Sequence, residues 1–369
     1  MGDLVACSEI DFALKLLSQR DPSESFVFSP ASIAIGLALV HSAAKEGETR
    51  DEIRSALLNG TNDLQFQQHF SKFISALPCD NSKAGPAMSE VNVANHVFCN
   101  ANFRVKKDYL DSVKKLYNCD ASRINFNDAK RSAETVNQFV DVNTKGNIKE
   151  IISASNIKPG DAAVVTSAIF FKSQWDRRYM FFKSDTAKKE FFSSVNVKRE
   201  IDFMNQIIHM KYNDNDVFQV INLPYKNGSF SMSIFLPKIR FGLAEALKKS
   251  DSPSIYKLLS EFGIRYADIT IPKWKLETSM DLNKSLEDLG IKDVFKEGGL
   301  QNLANGAFLS KCAHKATIEV DEYGTTASAA FASLCGGGIP PKPVNFVADH
   351  PFLYMITMDL HPLFVGIHN

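Results

Sequence analysis

The residue types that most often carry catalysis or bind metal ions are present in this sequence, but not in the spacings that such chemistry needs. The 369 residues include eight histidines and six cysteines. The signatures of hydrolases, zinc enzymes and nucleotide-binding proteins, namely Gly-x-Ser-x-Gly, His-Glu-x-x-His and the glycine-rich phosphate loop, do not occur. No histidines have metal-ligand spacing, and no Cys-x-x-Cys pair occurs. The sequence therefore predicts a protein that is not an enzyme and has no metal, cofactor or disulfide framework.

One stretch near the C-terminus has an unusual composition for its position. "DEYGTTASAAFASLCGGGIPPKP" (321–343) is dominated by small residues. "HKATIEV" precedes it and "VNFVADHPFLYMI" follows it, and both are rich in β-branched and aromatic residues, as strands are. Connections longer than about 12–15 residues are uncommon and tend to be functional or disordered. The stretch is therefore the main candidate for a functional segment, and a flexible linker is the less favoured alternative.

The first third of the chain has helical patterns. "EIDFALKLLSQ" places apolar residues three and four apart, and "DLQFQQHFSKFISAL" and "SAETVNQFVDVNT" are further amphipathic segments. Pro30 opens "PASIAIGLALVHSAA", at the first-turn position that proline tolerates.

From Ala162 onward, strand patterns dominate. "AAVVTSAIFFKSQW" is apolar almost throughout, as expected of a strand buried on both faces. "FQVINLPY" and "SFSMSIFLP" flank the turn pair Asn227–Gly228, and "YADITIPKW" is a further strand. "SMDLNKSLEDLGI" is helical and closes at Gly290. Helices followed by strands indicate an α+β fold, and we interpret the chain as a single domain because no linker divides it.

The charge balance and the N-terminal sequence indicate which binding partners and which cellular compartment to expect. Lys plus Arg and Asp plus Glu are 42 each, which does not favour nucleic-acid binding. No apolar run approaches the ~18 residues of a membrane span. Asp3, Glu9 and Asp11 interrupt the N-terminal segment, which therefore does not resemble a signal peptide. We expect a cytoplasmic or nucleocytoplasmic protein, or a secreted one if a signal peptide has been removed.

Seven separated segments occur in the order typical of one protein family. They are "FVFSPASI" (26–33), "NQFVDVNTKGNI" (137–148), "AIFFKSQW" (168–175), "LPYKNGSFSMSIFLP" (223–237), "IPKWKLETSMDL" (271–282), "HKATIEVDEYGTTASAA" (314–330) and "FVADHPFLYMI" (346–356). Through them the chain resembles the serpin family from end to end. It is most similar to the intracellular branch, whose members lack a classical signal peptide.

The resemblance implies a fold of about nine helices and three β-sheets in one domain over residues 1–369, with an exposed reactive-centre loop over about residues 322–343. In the serpin mechanism, a target protease attacks this loop and forms an acyl-enzyme. The cleaved loop then inserts into the central sheet and displaces the protease. The resemblance thus implies a suicide-substrate inhibitor of a serine protease or a papain-like cysteine protease, without a cofactor.

The first part of the loop has a composition that suits insertion as a strand. Residues 325–332 would alternate between two faces of the sheet. One face would hold Thr325, Ala327, Ala329 and Phe331, and the other Thr326, Ser328, Ala330 and Ala332. One face is then largely apolar and the other small or hydroxylic, as a central strand over a core requires. The hinge residues that the resemblance implies are Glu322, Gly324, Thr325, Thr326, Ala327, Ser328, Ala329 and Ala330.

The resemblance also implies two clusters that control opening of the central sheet. The "shutter" under the middle of the sheet corresponds to Ser29, Ser32, Ser167 and His314. The "breach", where insertion begins, corresponds to Trp175, Lys273 and Glu322. Serpins usually have Asn in place of Ser167, and because Ser is shorter we expect a weaker shutter here and faster polymerisation, which Ser167→Asn would slow.

The scissile bond is expected at Gly338–Ile339, by the family's usual distance from Glu322. A loop one residue shorter would place it at Gly337–Gly338. Either way glycine occupies the specificity position and offers no side chain to a deep S1 pocket. The expected target is therefore a protease with a small S1 pocket, or a papain-like enzyme that recognises other positions.

Two other functions compete with inhibition. A non-inhibitory serpin-fold protein, acting as a carrier, a chaperone or a decoy, would account for the "CGGG" tract. A hydrolase would need a catalytic constellation that the sequence does not provide. For an inhibitor we expect a monomer that tends to form loop-swapped dimers or polymers.

Overall fold

A computed structural model of the chain describes residues 2–78, 89–226, 228–324 and 342–369. The α-helices in these ranges are α1 Gly2–Ser18, α2 Pro30–Ala43, α3 Glu48–Leu57, α4 Asp63–Ala76, α5 Lys107–Tyr117, α6 Ala129–Asn143, α7 Leu243–Lys248, α8 Ser252–Ser260 and α9 Asn283–Asp288. The strands are β1 Phe26–Phe28, β2 Ser89–Asn100, β3 Ala121–Ile124, β4 Ala163–Ser173, β5 Thr186–Ser194, β6 Val197–Asp214, β7 Phe218–Pro224, β8 Phe230–Pro237, β9 Gly263–Pro272, β10 Trp274–Asp281, β11 Leu309–Val320, β12 Val344–Val347, β13 Phe352–Met358 and β14 His361–His368.

The helix α2 lies at the centre of the molecule and is buried along its whole length. Pro30 occupies its first turn, and the side chain of Ser29 caps it by accepting a hydrogen bond from the backbone N–H of Ser32. A helix that is apolar on every side requires partners on every side. Accordingly, α2 packs against β2 and β4 and against β14.

The strands form two hydrogen-bonded sheets in the described residues. The five-stranded sheet has the order β10-β11-β4-β2-β3. The nine-stranded sheet has the path β1-β14-β13-β8-β7-β6-β9-β12, with β5 paired to β6. The resemblance implies three sheets, whereas here the long strand β6 pairs with β5, β7 and β9 and so joins two of them into one path.

The predicted order of helices and strands is confirmed over most of the chain. The predicted helices correspond to α1, α2, α4, α6 and α9, and the predicted strands to β4, β7, β8, β9 and β11. The segment predicted as a strand after the loop forms two strands, β12 and β13. The prediction missed β2, which lies among the N-terminal helices in sequence yet occupies an inner position of the five-stranded sheet. In the described residues no helix is long and apolar enough to span a lipid bilayer.

Candidate functional site

The junction between β4 and β11 is the most distinctive feature of the five-stranded sheet. These two strands run parallel and pair directly, from Ala163 with Leu309 to Phe170 with Thr317. Beyond that point each strand pairs only with its outer neighbour: residues 318–320 with β10 and residues 171–173 with β2. The facing edges of β4 and β11 therefore separate at the end from which the chain leaves β11.

The chain leaves β11 through a tight turn that ends at Gly324. The backbone N–H of Asp321 donates to the carbonyl of Gly324, and Gly324 forms an antiparallel bridge with Gln174 just after β4. Gly324 has φ +121°, and an added Cβ would lie 2.5 Å from the carbonyl oxygen of Ser173. Only glycine fits this position, so the connection towards β12 begins at a fixed point beside the separated strand edges.

Trp175, predicted in the breach, ties the end of β4 to this turn. Its indole N–H donates to the carbonyl of Asp321 (3.1 Å), and its backbone N–H donates to the carbonyl of Tyr323 (2.8 Å). The indole ring is fully buried and stacks on Tyr225, with ring centroids 4.5 Å apart. Trp175 thus contributes both to the core and to the position of the loop base.

Lys273 and Glu322, the other predicted breach residues, form an ion pair. Lys273 Nζ lies 3.0 Å from Glu322 Oε2, and the hydroxyl of Thr186 donates to Glu322 Oε1 (2.9 Å). Burial raises the pKa of the Glu322 carboxyl, but hydrogen bonds from its own backbone N–H, Lys273 and Thr186 outweigh burial and leave the pKa below its usual value. The Glu322 side chain is 4% exposed and that of Lys273 is 32% exposed, so the pair is better shielded from solvent than a typical surface pair.

His314, predicted in the shutter, links three elements. The backbone N–H of Ser29 donates to its Nε2 (3.0 Å), which requires the proton to be on Nδ1. Nδ1–H then donates to the carbonyl of Ser167 (2.7 Å) across the junction between β11 and β4. The imidazole is fully buried, and it connects β11 both to β4 and to the start of α2.

A chain of side-chain hydrogen bonds continues from this histidine. The hydroxyl of Ser167 donates to that of Ser32 (2.9 Å), which donates to Asn95 Oδ1 (3.0 Å). Asn95 Nδ2 donates in turn to the carbonyl of Ser32 (2.7 Å), and the hydroxyl of Ser29 donates to the carbonyl of Leu363. The structure thus brings together the four predicted shutter residues. It adds Asn95, which the sequence analysis missed.

The structure changes the expectation for Ser167. We expected a weak shutter because Ser is shorter than the Asn usual at this position, but Asn95 is the register partner of Ser167 on β2 and supplies the amide. The signal in the sequence would have been a polar residue in an otherwise apolar strand, but β2 itself was not predicted. Buried polar groups that are fully hydrogen-bonded carry no large penalty, so the premise that Ser167 weakens the cluster does not hold.

We now expect Ser167→Asn to destabilise the fold by about 1–3 kcal/mol, because two amides would compete for the space and the hydrogen bonds of one. The double variant Ser167→Asn/Asn95→Ser moves the amide back to β4 and should recover most of that loss. Urea denaturation of the wild type, both single variants and the double variant measures the coupling. Additive effects of the two substitutions would show that the residues do not exchange roles.

Burial also controls the protonation of His314. It lowers the pKa of His314 to about 4, and the hydrogen bond to the carbonyl of Ser167 offsets only part of this effect. In an unfolded chain the pKa of histidine is about 6.5. Burial likewise lowers the pKa of His41 and His96 to about 4 and that of His368 to about 3. At neutral pH all four imidazoles are uncharged.

We expect the free energy of unfolding to fall as the pH drops from about 6.5 to about 4. Over this range the unfolded chain binds protons that the folded chain excludes, so stability is full above pH 6.5 and is lost towards the folded-state pKa. His314→Gln should reduce the slope by up to about 1.4 kcal/mol per pH unit, the contribution of one histidine. Urea denaturation at several pH values checks this, and an unchanged slope would contradict a buried neutral His314.

The remaining predicted site residues lie outside the described residues. These are the hinge residues from Thr325 to Ala330 and the expected scissile bonds, Gly338–Ile339 and Gly337–Gly338. The described part of the connection comprises residues 321–324 at one end and residues 342–343 at the other.

One group of side chains was not expected from the sequence. Glu9, His69 and His361 lie in three separate elements, and their ligand atoms lie within 4.8 Å of one another. The sequence analysis excluded histidines in metal-ligand spacing, but spacing along the chain does not reveal residues that the fold brings together. The prediction that no metal site exists considered only spacing along the chain, and the fold brings three potential ligands together at this position.

Comparison with known proteins identifies the family. A family model described as "Serpin (serine protease inhibitor)" matches residues 8–369. An "Uncharacterized serpin-like protein" of Methanosarcina mazei is 29% identical, with 95% of this chain and 83% of that protein aligned. Serpin B3 of Homo sapiens is also 29% identical, with 92% of each chain aligned. The human "Leukocyte elastase inhibitor" is 29% identical, with 94% and 93% aligned.

Solved structures share the fold. The native state of the thermophilic serpin Tengpin aligns with a TM-score of 0.88 and 23% identity, covering 98% of this chain and 93% of that one. Serpin48 of the insect Tenebrio molitor aligns with a TM-score of 0.85 and 24% identity, covering 99% and 96%.

Proposed function

Because the chain belongs to the serpin family, we propose that it inhibits a target protease as a suicide substrate. The protease cleaves the loop between β11 and β12, and its nucleophile stays joined to the carbonyl carbon of the residue before the cut as an acyl-enzyme. The freed segment from Thr325 onward then inserts between β4 and β11. Insertion carries the attached protease across the molecule and distorts its active site before water completes the hydrolysis.

The geometry at the junction between β4 and β11 is the observation that carries this proposal. The two strands are parallel and adjacent, and their facing edges are already separated beyond Phe170 and Thr317. The chain leaves β11 and turns back at Gly324, next to these edges. A segment that continues from this turn would run antiparallel to both strands, and the antiparallel arrangement is the slightly more stable one per residue.

Insertion exchanges one ladder of hydrogen bonds for two. The direct pairing of β4 with β11 would be lost, and a ladder on each side of the new strand would replace it. Each backbone hydrogen bond contributes about 0.5–1.5 kcal/mol net, so one additional ladder stabilises the inserted form by several kcal/mol. The run of small residues from 325 to 330 suits entry into a sheet whose inner strands are already buried on both faces.

The proposed target protease does not require a large or charged side chain in the residue before the scissile bond. With scission at Gly338–Ile339, or one residue earlier, glycine enters the S1 pocket. A deep pocket lined by Asp, which selects Arg or Lys, would gain no ion pair from it. We therefore propose a serine protease with a small S1 pocket or a papain-like cysteine protease, encountered by a cytoplasmic or nucleocytoplasmic monomer.

Incubation with a panel of such proteases tests the proposal. A covalent complex that survives a denaturing gel is expected with at least one protease, and the cleaved inhibitor should unfold at a much higher temperature than the intact protein. Mass spectrometry of the released C-terminal fragment locates the scissile bond. Cleavage without a complex and without a rise in unfolding temperature would instead favour a non-inhibitory carrier or chaperone.

A further inference from the structure

We propose that Glu9, His69 and His361 form a binding site for a divalent transition-metal ion, with Zn²⁺ as the best match. The three residues come from α1, α4 and the start of β14. Two imidazoles and one carboxylate are a ligand set that zinc commonly uses in proteins, with a water molecule as the fourth ligand. The site is separate from the breach and the shutter and does not depend on the proposed inhibitory function.

The carboxylate already holds both imidazoles in position. Glu9 Oε1 lies 2.7 Å from His69 Nε2, and Glu9 Oε2 is hydrogen-bonded to His361 Nδ1. An ion that replaces the shared protons meets one negative charge and two nitrogen ligands.

The distances require only a small adjustment. Zinc bonds to nitrogen and carboxylate oxygen measure about 2.0–2.2 Å, so ligand atoms around a tetrahedral ion lie about 3.3 Å apart. The ligand atoms here lie within 4.8 Å of one another, and Glu9 lies closer than 3.3 Å to His69. Rotation of the carboxylate away from the histidines opens the centre, and ligand atoms up to 4.8 Å apart would approach by up to about 1.5 Å to reach tetrahedral spacing.

The surroundings hold the rings and leave access for solvent. The ring of His69 packs on Phe70 and Phe73, and Phe73 contacts His361 edge-on. The side chains of Glu9, His69 and His361 are 13%, 18% and 24% exposed, so the site is largely but not completely buried. An adjoining cavity of about 10 Å³, lined in part by Glu9, Phe73 and His361, has about the size of one water molecule.

Metal binding should stabilise the fold because it joins three elements that are distant in sequence. An ion that binds only the folded state, and not the unfolded chain, raises the free energy of unfolding. The increase grows with the logarithm of the ratio between the ion concentration and the dissociation constant. Because the ion displaces protons from the imidazoles, affinity should increase with pH.

Isothermal titration calorimetry of the full chain with ZnCl₂ at pH 7.5 tests the site. We expect one ion per chain, with proton release detected as a dependence of the heat on the buffer. Co²⁺ provides a second probe, because a tetrahedral site gives intense visible absorption bands. Absence of binding by both ions to the wild type would overturn the proposal.

Matched variants locate the site. His69→Gln and His361→Gln preserve a polar side chain beside Glu9 but remove a ligand, and each should weaken Zn²⁺ binding at least about tenfold, the loss expected even for partners outside the first coordination sphere. The control is His209→Gln, the same substitution at an exposed histidine of β6, which should leave affinity unchanged. Equal affinity in all three variants, or a loss caused only by His209→Gln, would place the metal elsewhere and overturn the proposal. If His69→Gln or His361→Gln does not fold, Glu9→Gln replaces it as the test. This variant should lose the intense Co²⁺ absorption bands, and unchanged bands would overturn the proposal.

Discussion

Thr325→Arg is expected to convert the protein from an inhibitor into a substrate of its target protease. The variant should be cleaved at the normal bond, yet the covalent complex should disappear from denaturing gels. Thr325 lies outside the described residues, but it follows directly after Gly324, whose position beside the ends of β4 and β11 is fixed. It would therefore be the first residue to enter the sheet.

The physical reason is the cost of burying a guanidinium group without a partner. By strand alternation, Thr325 enters on the face that turns towards the core. An unpaired charge there costs several kcal/mol, and each 1.4 kcal/mol added to the barrier slows insertion about tenfold. Deacylation of the acyl-enzyme is not slowed, so the protease would be released before it is displaced.

Thr326→Arg is the matched control for this prediction. It introduces the same charge one residue later, on the opposite face of the inserted strand, where Lys172 and Glu319 at this end of β4 and β11 are only half-buried. This variant should retain most of the covalent complex. Equal loss of the complex in both variants would indicate that any charge near the hinge blocks insertion. Full inhibition by Thr325→Arg would show that its side chain does not enter the core.

The sequence predicts the elements that carry strong local patterns and fails where tertiary contacts decide. Pro30 after Ser29 predicts the start of α2, and the apolar run of β4 predicts an inner strand. In contrast, β2 alternates weakly, because Asn92, Asn95 and His96 interrupt its apolar residues. The shutter amide of Asn95 was missed for that reason.

The cluster of Glu9, His69 and His361 shows the same limit more strongly. The sequence separation between Glu9 and His361 is 352 residues, and no local pattern connects residues that far apart. The breach and shutter residues were accessible only because the resemblance to a family supplied their relationship. Their hydrogen-bond partners, such as Thr186 beside Glu322, required the structure.

His314→Ala is expected to accelerate heat-induced polymerisation at least about tenfold. The imidazole accepts a hydrogen bond from the N–H of Ser29 and donates one to the carbonyl of Ser167 across the junction between β11 and β4. Alanine leaves both backbone groups buried without these partners, at about 1–3 kcal/mol each. The closed sheet loses this stabilisation, whereas an opened sheet has already broken the contact with β4. Opening therefore becomes easier, and the loop of a neighbouring molecule can enter.

His96→Ala separates this effect from general destabilisation. His96 is also buried in the five-stranded sheet, but it lies on β2 and bonds to the Ser122 side chain of β3, away from the junction. Each protein should be incubated at the same interval below its own unfolding temperature, and polymers should be followed on native gels over time. His314→Ala should polymerise faster than the wild type under these matched conditions, and His96→Ala should not. Equal acceleration in both variants would mean that loss of stability alone drives polymerisation, and that His314 does not hold β4 and β11 together.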